Sequence, residues 1–234
     1  MVVSRGMRRF ELVIFDNDGV VVDSEALSSQ TMSEALVAAG FPVTPEQCDQ
    51  WFKGGTLAHT RQFVEQRFGK TLPPDFEDSY TGTLFTRFAA HLRPVPGIEA
   101  VLDRLDAAGM PYCLASSGRR QRVLFTLETT GLADRFTGRW WGADDVINGK
   151  PAPDLFLLAA RTMKFDPVNC VVVEDAEVGV TAARAAGMAV LGFAARTPRQ
   201  SLAAADVVFT DMAELPGLVL AGLPLDSTGS PLAV

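Results

Sequence analysis

Two acidic pairs are the residues of this chain best suited to chemistry. Asp16 and Asp18 are separated by one residue, and Glu174 and Asp175 are adjacent. Carboxylates held close together repel each other, so a bound cation would relieve the repulsion if they shared a site. Gly19 permits a tight turn that would aim Asp16 and Asp18 at one place, although the same four-residue pattern also suits a solvated turn.

A lysine and a hydroxyl-rich segment offer groups of the opposite character. Lys150 lies in a loop of glycine and prolines, where a lysine is usually exposed but can also face an anion. Ser116, Ser117 and Gly118 supply hydroxyl and backbone N–H groups, which bind anions readily at the start of a helix. Simple capping of a helix is the alternative role for this segment, and the two roles are compatible.

These polar residues follow apolar segments that predict β-strands. The predicted strands cover residues 11–15, 111–115, 170–173, 189–193 and 206–209. Apolar residues at helical spacing predict helices over 97–108, 155–163 and 178–186. Strands that alternate with helices predict an α/β fold with a doubly wound parallel sheet. Ligands of such sheets bind at the carboxyl ends of the strands, so Asp16, Ser116 and Glu174 should converge there.

Residues 24–92 interrupt this alternation. Helices are predicted over 25–39, 57–68 and 76–91, with no strand between them. We interpret 24–92 as an inserted helical cap, and 1–23 with 93–234 as the α/β core. Both crossings pass close to Asp16, so the cap should lie over the site. Residues 1–6 would be a disordered extension if Met7 were the start, and 222–234 are expected to fray.

Composition limits the possible classes of protein. The 234 residues are 47% hydrophobic with a net charge of −7, which is typical of a globular protein and disfavours nucleic-acid binding through the overall field. No apolar run is long enough to span a membrane, and no signal peptide is evident. The widely spaced Cys48, Cys113 and Cys170 predict buried free thiols. We therefore expect a cytoplasmic protein.

Taken together and in order, four motifs resemble those of the haloacid dehalogenase-like superfamily, in particular its β-phosphoglucomutase-like phosphatases. They are Phe-Asp-Asn-Asp-Gly-Val-Val-Val-Asp-Ser-Glu at 15–25, Leu-Ala-Ser-Ser-Gly at 114–118, Gly-Lys-Pro-Ala-Pro-Asp at 149–154 and Val-Glu-Asp-Ala-Glu-Val-Gly at 173–179. The resemblance runs from Phe10 to about Phe193. It implies a Rossmann-like core with an inserted cap.

The resemblance implies a catalytic role for four residues. Asp16 would attack phosphorus and become an aspartyl phosphate, and Asp18 would act as general acid and then general base. Ser116 and Lys150 would hold the phosphoryl oxygens. Dehalogenases of the superfamily lack the second aspartate, so Asp18 favours phosphoryl transfer over carbon–halogen cleavage.

The resemblance also implies a metal site. The carboxylates of Asp16 and Asp175 and the backbone carbonyl of Asp18 would be ligands of Mg²⁺, with Glu174 in or beside the same shell. Oxygen ligands of this kind, completed by phosphate and water, suit Mg²⁺.

Substrate binding is assigned to two segments. Ser117 and Gly118 belong to the second motif, and Lys53 and Gly54 belong to a loop that resembles the specificity loop of the cap. Lys53 would reach a substrate oxygen or a second anionic group. The alternative is that Lys53 extends along the cap surface with its charged end in solvent.

β-Phosphoglucomutase is the main rival to a phosphatase. A mutase needs a cation in the cap for the distal phosphate, and the position that carries an arginine in those mutases is Leu57 here. Ser28 stands where a histidine is common. Both departures weaken this alternative, although Arg61 could replace the missing cation. His59 and His91 lie outside the motifs and are expected to be structural or exposed.

The sequence therefore predicts a Mg²⁺-dependent phosphatase, a phosphoric monoester hydrolase, that acts on a small phosphorylated metabolite. A sugar phosphate or a phosphorylated sugar acid is the favoured substrate class, with no nucleic-acid or membrane partner. The alternatives are a β-phosphoglucomutase-type isomerase and a non-catalytic module that binds a phosphometabolite or a protein. The intact set of Asp16, Asp18, Lys150 and Asp175 argues against the latter.

Overall fold

The computed structural model describes residues 7–224. Its strands are β1 (Met7–Arg8), β2 (Leu12–Phe15), β3 (Tyr112–Ala115), β4 (Trp140–Trp141), β5 (Cys170–Glu174), β6 (Ala189–Phe193), β7 (Val207–Phe209) and β8 (Leu223–Pro224). Its α-helices are α1 (Glu25–Ala38), α2 (Pro45–Phe52), α3 (Leu57–Phe68), α4 (Phe76–His91), α5 (Ile98–Ala107), α6 (Arg120–Thr129), α7 (Asp154–Met163), α8 (Glu177–Ala185) and α9 (Leu215–Ala221).

A six-stranded parallel sheet in the order β4-β3-β2-β5-β6-β7 forms the centre of the fold. Alternate residues of its strands enter two different apolar cores. On β2, Val13 and Phe15 pack on one face of the sheet, and Leu12 and Ile14 pack on the other. Burial of both faces explains why these strands are apolar throughout. The predicted α/β fold class is therefore confirmed.

Four consecutive helices, α1 to α4, lie between β2 and α5. The two chain segments that lead into and out of this part run side by side, because Val22 and Pro94 form an isolated bridge and the Asp23 N–H donates to the Arg93 carbonyl. Helix α1 packs against α2 and α4. The apolar residues of these helices join the core on one face of the sheet.

Several short or polar elements were not predicted. Helix α2 has a capping box at Thr44 and Pro45 at its first position, and it ends with Trp51 and Phe52, directly before the predicted loop of Lys53 and Gly54. Helices α6 and α9 and the edge strand β4 were also missed. Tertiary packing decides short elements of this kind more than local pattern does.

The expectation that the chain frays from residue 222 is wrong for its first residues. Strand β8 pairs with β1 in an antiparallel two-stranded sheet, with Leu223 opposite Arg8. Leu223 is buried. The predicted disorder of 1–6 and the rest of the 222–234 segment lie outside the described residues.

All three cysteines are free and buried, as expected. None of the helices within residues 7–224 combines the length and the hydrophobicity that a membrane span requires.

Candidate active site

Three neighbouring strands deliver the acidic and hydroxyl residues to one edge of the sheet. Phe15 at the end of β2 pairs with Leu114 of β3 on one side and with Val173 of β5 on the other. Asp16, Ser116 and Glu174 follow within two residues of these pairs. All three side chains are buried at the carboxyl end of the sheet, which is where parallel sheets bind ligands.

Lys150 connects two of these strand ends. Its Nζ donates to Oδ1 of Asp16 and to Oε1 of Glu174, at 2.6 Å each, and it stands 4.6 Å from the centre of the Phe156 ring. Only 1% of its side chain is exposed, so it is not a solvated loop lysine. Burial alone would lower its pKa, but the two carboxylates outweigh burial and raise it. The ammonium charge is therefore held firmly between Asp16 and Glu174.

A second ion pair joins the helical segment to the sheet. Lys53, in the loop after α2, donates from Nζ to Oδ2 of Asp175 at 2.8 Å and to the hydroxyl of Thr197 at 2.6 Å. The Thr197 hydroxyl in turn donates to the backbone carbonyl of Asp175. Gly54, with φ of +70°, lets the loop approach closely, because a Cβ there would lie 2.8 Å from the Ala176 side chain.

The carboxylates of Asp16, Glu174 and Asp175 form a group that fits a metal ion. Each offers an oxygen, and these oxygens lie within 4.8 Å of one another. Burial and the neighbouring carboxylates raise the pKa of Asp16 and of Asp175, although Lys150 and Lys53 respectively oppose the rise. Three carboxylates thus face two ammonium groups, and a divalent cation with oxygen preference suits this excess of negative charge.

Gly19 shows how tightly the metal-binding candidates are packed. Its φ is +78°, and a Cβ at this position would lie 2.1 Å from Oδ2 of Asp175. The turn after Asp16 therefore rests on the acidic end of β5. Any larger residue at position 19 would displace Asp175 or the turn.

Asp18 has different neighbours from the other carboxylates. Its Oδ1 accepts hydrogen bonds from the Ser24 hydroxyl and from Arg122, at 2.6 Å each. Burial would raise the pKa of Asp18, but Arg122 and these hydrogen bonds outweigh it, and the pKa lies below its ordinary value. The Asp18 side chain is not part of the three-carboxylate group; its predicted metal contact is through the backbone carbonyl.

The second motif precedes α6 by one residue and lines the same cavity. The Ser116 hydroxyl accepts a hydrogen bond from the Gly118 N–H at 3.0 Å. Ser117 and Gly118 are half-buried, and Arg119 follows them at the beginning of α6. The cavity has a volume of about 850 Å³ and lies between this edge of the sheet and helices α1 to α4.

Leu57 and Arg61 are the two cap positions considered for a cation that would bind the distal phosphate of a mutase substrate, and they lie in different places. Leu57 lines the cavity, whereas Arg61 is not among its lining residues. Arg61 donates to the Leu72 carbonyl at 3.1 Å and lies 3.8 Å from Glu77. His59 and His91 are exposed, as expected.

Sequence reasoning missed three residues of the site. Arg122 lies on α6, which was not predicted, and Thr197 has no motif around it, so neither carried a signal. Glu25 ends the first motif and is buried against the cavity. Burial raises the pKa of Glu25 to about 7, with Lys53 opposing the rise and Asp18 adding to it.

Known proteins resemble this chain over most of its length. A sequence model described as haloacid dehalogenase-like hydrolase matches residues 10–187. A 6-phosphogluconate phosphatase from Escherichia coli is 29% identical over 214 residues, which cover 91% of this chain and 96% of the relative. A haloacid dehalogenase-like protein of unknown function from Agrobacterium tumefaciens is 33% identical, with a TM-score of 0.78 over 90% of this chain and 97% of that one. A β-phosphoglucomutase from Clostridium difficile shares the fold at 22% identity, with a TM-score of 0.75 over 88% of this chain and 93% of that one.

Proposed function

Since the chain belongs to the haloacid dehalogenase-like hydrolase family, we propose that it is a Mg²⁺-dependent phosphatase of a small phosphorylated metabolite. The observation that carries this proposal is the buried group of Asp16, Glu174 and Asp175, with Lys150 bonded to two of them. A sugar phosphate or a phosphorylated sugar acid is the proposed substrate class, and the 6-phosphogluconate phosphatase relative supports it.

In this proposal Asp16 is the nucleophile. One of its carboxylate oxygens forms a bond to phosphorus as the bond between phosphorus and the substrate oxygen breaks, which leaves an aspartyl phosphate. Water then attacks phosphorus, and the bond to Asp16 breaks to give inorganic phosphate. In this proposal Lys150 and the Ser116 hydroxyl hold phosphoryl oxygens, and Lys150 also orients the Asp16 carboxylate, to which it donates a hydrogen bond.

Asp18 moves the protons of both steps. It donates a proton to the departing substrate oxygen and then takes one from the attacking water. The lowered pKa of Asp18 suits the second task, since it favours the carboxylate. A phosphate group bound beside Asp18 would raise that pKa again, because a like charge disfavours the ionised form.

Asp16 and Asp175, with the Asp18 carbonyl and with Glu174 beside them, would hold Mg²⁺. When bound, the cation would offset the negative charge that the phosphoryl group and the carboxylates bring together.

The proposed domain division is 24–92 as cap and the remainder as core. Lys53 and Gly54 support a role of the loop at 53–54 in covering the site, because Lys53 pairs with Asp175 and Gly54 approaches Ala176, both between the end of β5 and the start of α8. A covered site excludes water from the phosphoryl group except for the attacking molecule.

We further propose the cytoplasm as the compartment, since free buried thiols suit a reducing environment.

The β-phosphoglucomutase alternative is weaker in this chain. Arg61, the candidate for a distal phosphate, does not itself line the cavity, because its guanidinium donates to the Leu72 carbonyl and lies 3.8 Å from Glu77, a residue of the cavity lining. Arg119 is the observation that favours a second anionic group on the substrate. It is a lining residue of the cavity, its side chain is 77% exposed, and its Nε lies 4.0 Å from Oδ1 of Asp144.

A phosphate-release screen with Mg²⁺ tests the proposal. The panel should contain sugar phosphates, phosphorylated sugar acids, nucleotides and other phosphoacids, and we expect the first two classes to be hydrolysed fastest. If no member of the panel released phosphate, the proposed phosphatase function would be overturned. For the alternative, β-glucose 1-phosphate is supplied with a trace of β-glucose 1,6-bisphosphate. Glucose 6-phosphate without free phosphate would establish a mutase instead.

A further inference from the structure

Arg122 joins the sheet to the helical segment at the position of Asp18. It lies on α6, which contributes Val123 and Leu127 to the core on one face of the sheet and packs against α4, and its side chain reaches two helices of the 24–92 segment. Its guanidinium donates to Oδ1 of Asp18 at 2.6 Å and to the Ser28 hydroxyl on α1 at 3.2 Å. It also lies 5.3 Å from the centre of the Phe88 ring on α4, within the range of a cation–π interaction.

Because of these contacts, the two carboxylate oxygens of Asp18 differ in the hydrogen bonds that they accept. Oδ1 accepts short hydrogen bonds from Ser24 and Arg122, so its lone pairs are occupied. Among residues 7–224, Oδ2 accepts one long hydrogen bond, from the side-chain amide of Asn17 at 3.3 Å. The oxygen that can exchange a proton with a substrate or with water is therefore Oδ2. Arg122 and Ser24 fix the rotation of the carboxylate that presents it.

Helix α6 also contacts the turn that carries Asp16 and Asp18, through a hydrogen bond with Asn17. The buried Asn17 amide donates to the Thr126 hydroxyl, one helical turn beyond Arg122, at 3.1 Å. This hydrogen bond explains why the residue between the two aspartates is polar. Helix α6 holds the turn from one side while α1 and α4 contact Arg122 from the other.

We propose that Arg122 is a positioning residue that orients Asp18 and makes this orientation depend on the placement of α1 and α4. The inference rests on the proposed function of Asp18. Direct binding of substrate by Arg122 is the competing role. It fits less well, because the Nη2 atom already donates to Asp18 and Ser28.

Kinetics of Arg122→Met, Arg122→Lys and Arg120→Gln test this role. We expect Arg122→Met to lower kcat about 10- to 100-fold while KM changes less than about threefold. Arg122→Lys keeps the charge but lacks the planar guanidinium, so it should recover part of kcat. Arg120 is the matched control, since it lies on the same helix, pairs with Asp145 and does not line the cavity.

A binding measurement separates positioning from substrate contact. The affinity for inorganic phosphate, measured by thermal shift, should be the same in Arg122→Met as in Arg120→Gln. A fall in phosphate affinity as large as the fall in kcat would overturn the positioning role. Wild-type kcat in Arg122→Met would overturn it as well. If Arg122→Met does not fold, Arg122→Lys decides by the same two criteria.

Amide hydrogen exchange tests the link of Arg122 to α1 and α4 independently of the proposed function. Amides of α1 and α4 should exchange faster in Arg122→Met than in Arg120→Gln, because one link to α6 is lost. Unchanged exchange would refute the link, whether or not the enzyme is active. A wild-type protein that releases no phosphate would refute the proposed function, and the exchange result would then decide the link alone.

Discussion

A Cβ atom on Gly179 would lie 1.7 Å from Oε1 of Glu174, so the first turn of α8 rests directly on that carboxylate. The same Oε1 accepts a hydrogen bond from Lys150, and Oε2 accepts the backbone N–H groups of Asp175 and Ala176. Both oxygens of Glu174 are thus fixed by neighbours on several sides. Glu174 is a rigid support for Lys150 and for the backbone of Asp175.

Gly179→Ala should therefore damage the site and the fold together. The added methyl group must displace Glu174, and overpacking of this kind costs about 1–3 kcal/mol. Urea denaturation gives the free energy of unfolding. Gly217→Ala is the control, because a Cβ there would meet no described residue outside its own helix within 4 Å, and since Gly217 lies within α9 the substitution should stabilise by about 0.5–1 kcal/mol. Equal effects of the two substitutions would show that Gly179 does not have to be a glycine.

Asp16→Asn should abolish turnover without loss of the fold. An amide cannot attack phosphorus as a carboxylate does, so we expect kcat to fall by about 10⁴-fold or more. Removal of one charge from a group of buried carboxylates should leave the melting temperature unchanged or higher. Asp23→Asn serves as control, since Asp23 pairs with Arg196 outside the cavity lining. Full activity of Asp16→Asn would remove Asp16 from the role of nucleophile.

The strand ends of the site could be predicted because local sequence determines them. Apolar, β-branched segments followed by Asp16, Ser116 and Glu174 predict both the buried sheet and the place where its ligands bind. Helices α3 and α4 begin and end where the pattern predicts, since turn residues flank them. Adjacent strands then bring these residues together without further information.

The partners of those residues could not be predicted, because they come from distant parts of the chain. Arg122 reaches Asp18 across 104 positions and Lys53 reaches Thr197 across 144. Neither contact follows from a local pattern. The pairing of β1 with β8 is also a long-range contact, and its two-residue strands are too short to show a period.

Mg²⁺ should stabilise the wild-type protein and be required for its activity. Chelation should stop phosphate release, and added Mg²⁺ should restore it. In a thermal-shift titration the melting temperature should rise with Mg²⁺, because a ligand of the folded state alone stabilises that state. Asp175→Asn should reduce this rise, whereas Asp103→Asn on the surface should retain it. Phosphate release that persists after chelation would refute the metal assignment.

Arg119→Gln should affect substrates according to the charge of their remote end. Arg119 is a lining residue of the cavity, and its exposed side chain has only a 4.0 Å contact with Asp144, so the guanidinium is available to a second anionic group. We expect KM for a phosphorylated sugar acid to rise about 3- to 30-fold, and KM for a neutral sugar phosphate to change little. Arg120→Gln is the neighbouring control. An equal rise of KM for both substrates would indicate that Arg119 binds the phosphoryl group common to them.

Glu25→Gln should stabilise the protein at alkaline pH. The pKa of Glu25 is raised from 4.5 to about 7, chiefly by burial, so between these values the folded state binds more protons than the unfolded state. Stability due to this group is therefore present below about pH 4.5 and is lost as the pH rises through about 7. At pH 8 the glutamine variant, which carries no charge to bury, should gain about 1–3 kcal/mol over the wild type. The difference should shrink towards pH 5, as measured by urea denaturation at several pH values.

Glu99→Gln, on the exposed side of α5, provides the control for this prediction. A gain that is the same at pH 5 and pH 8 would show that titration of Glu25 is not its cause.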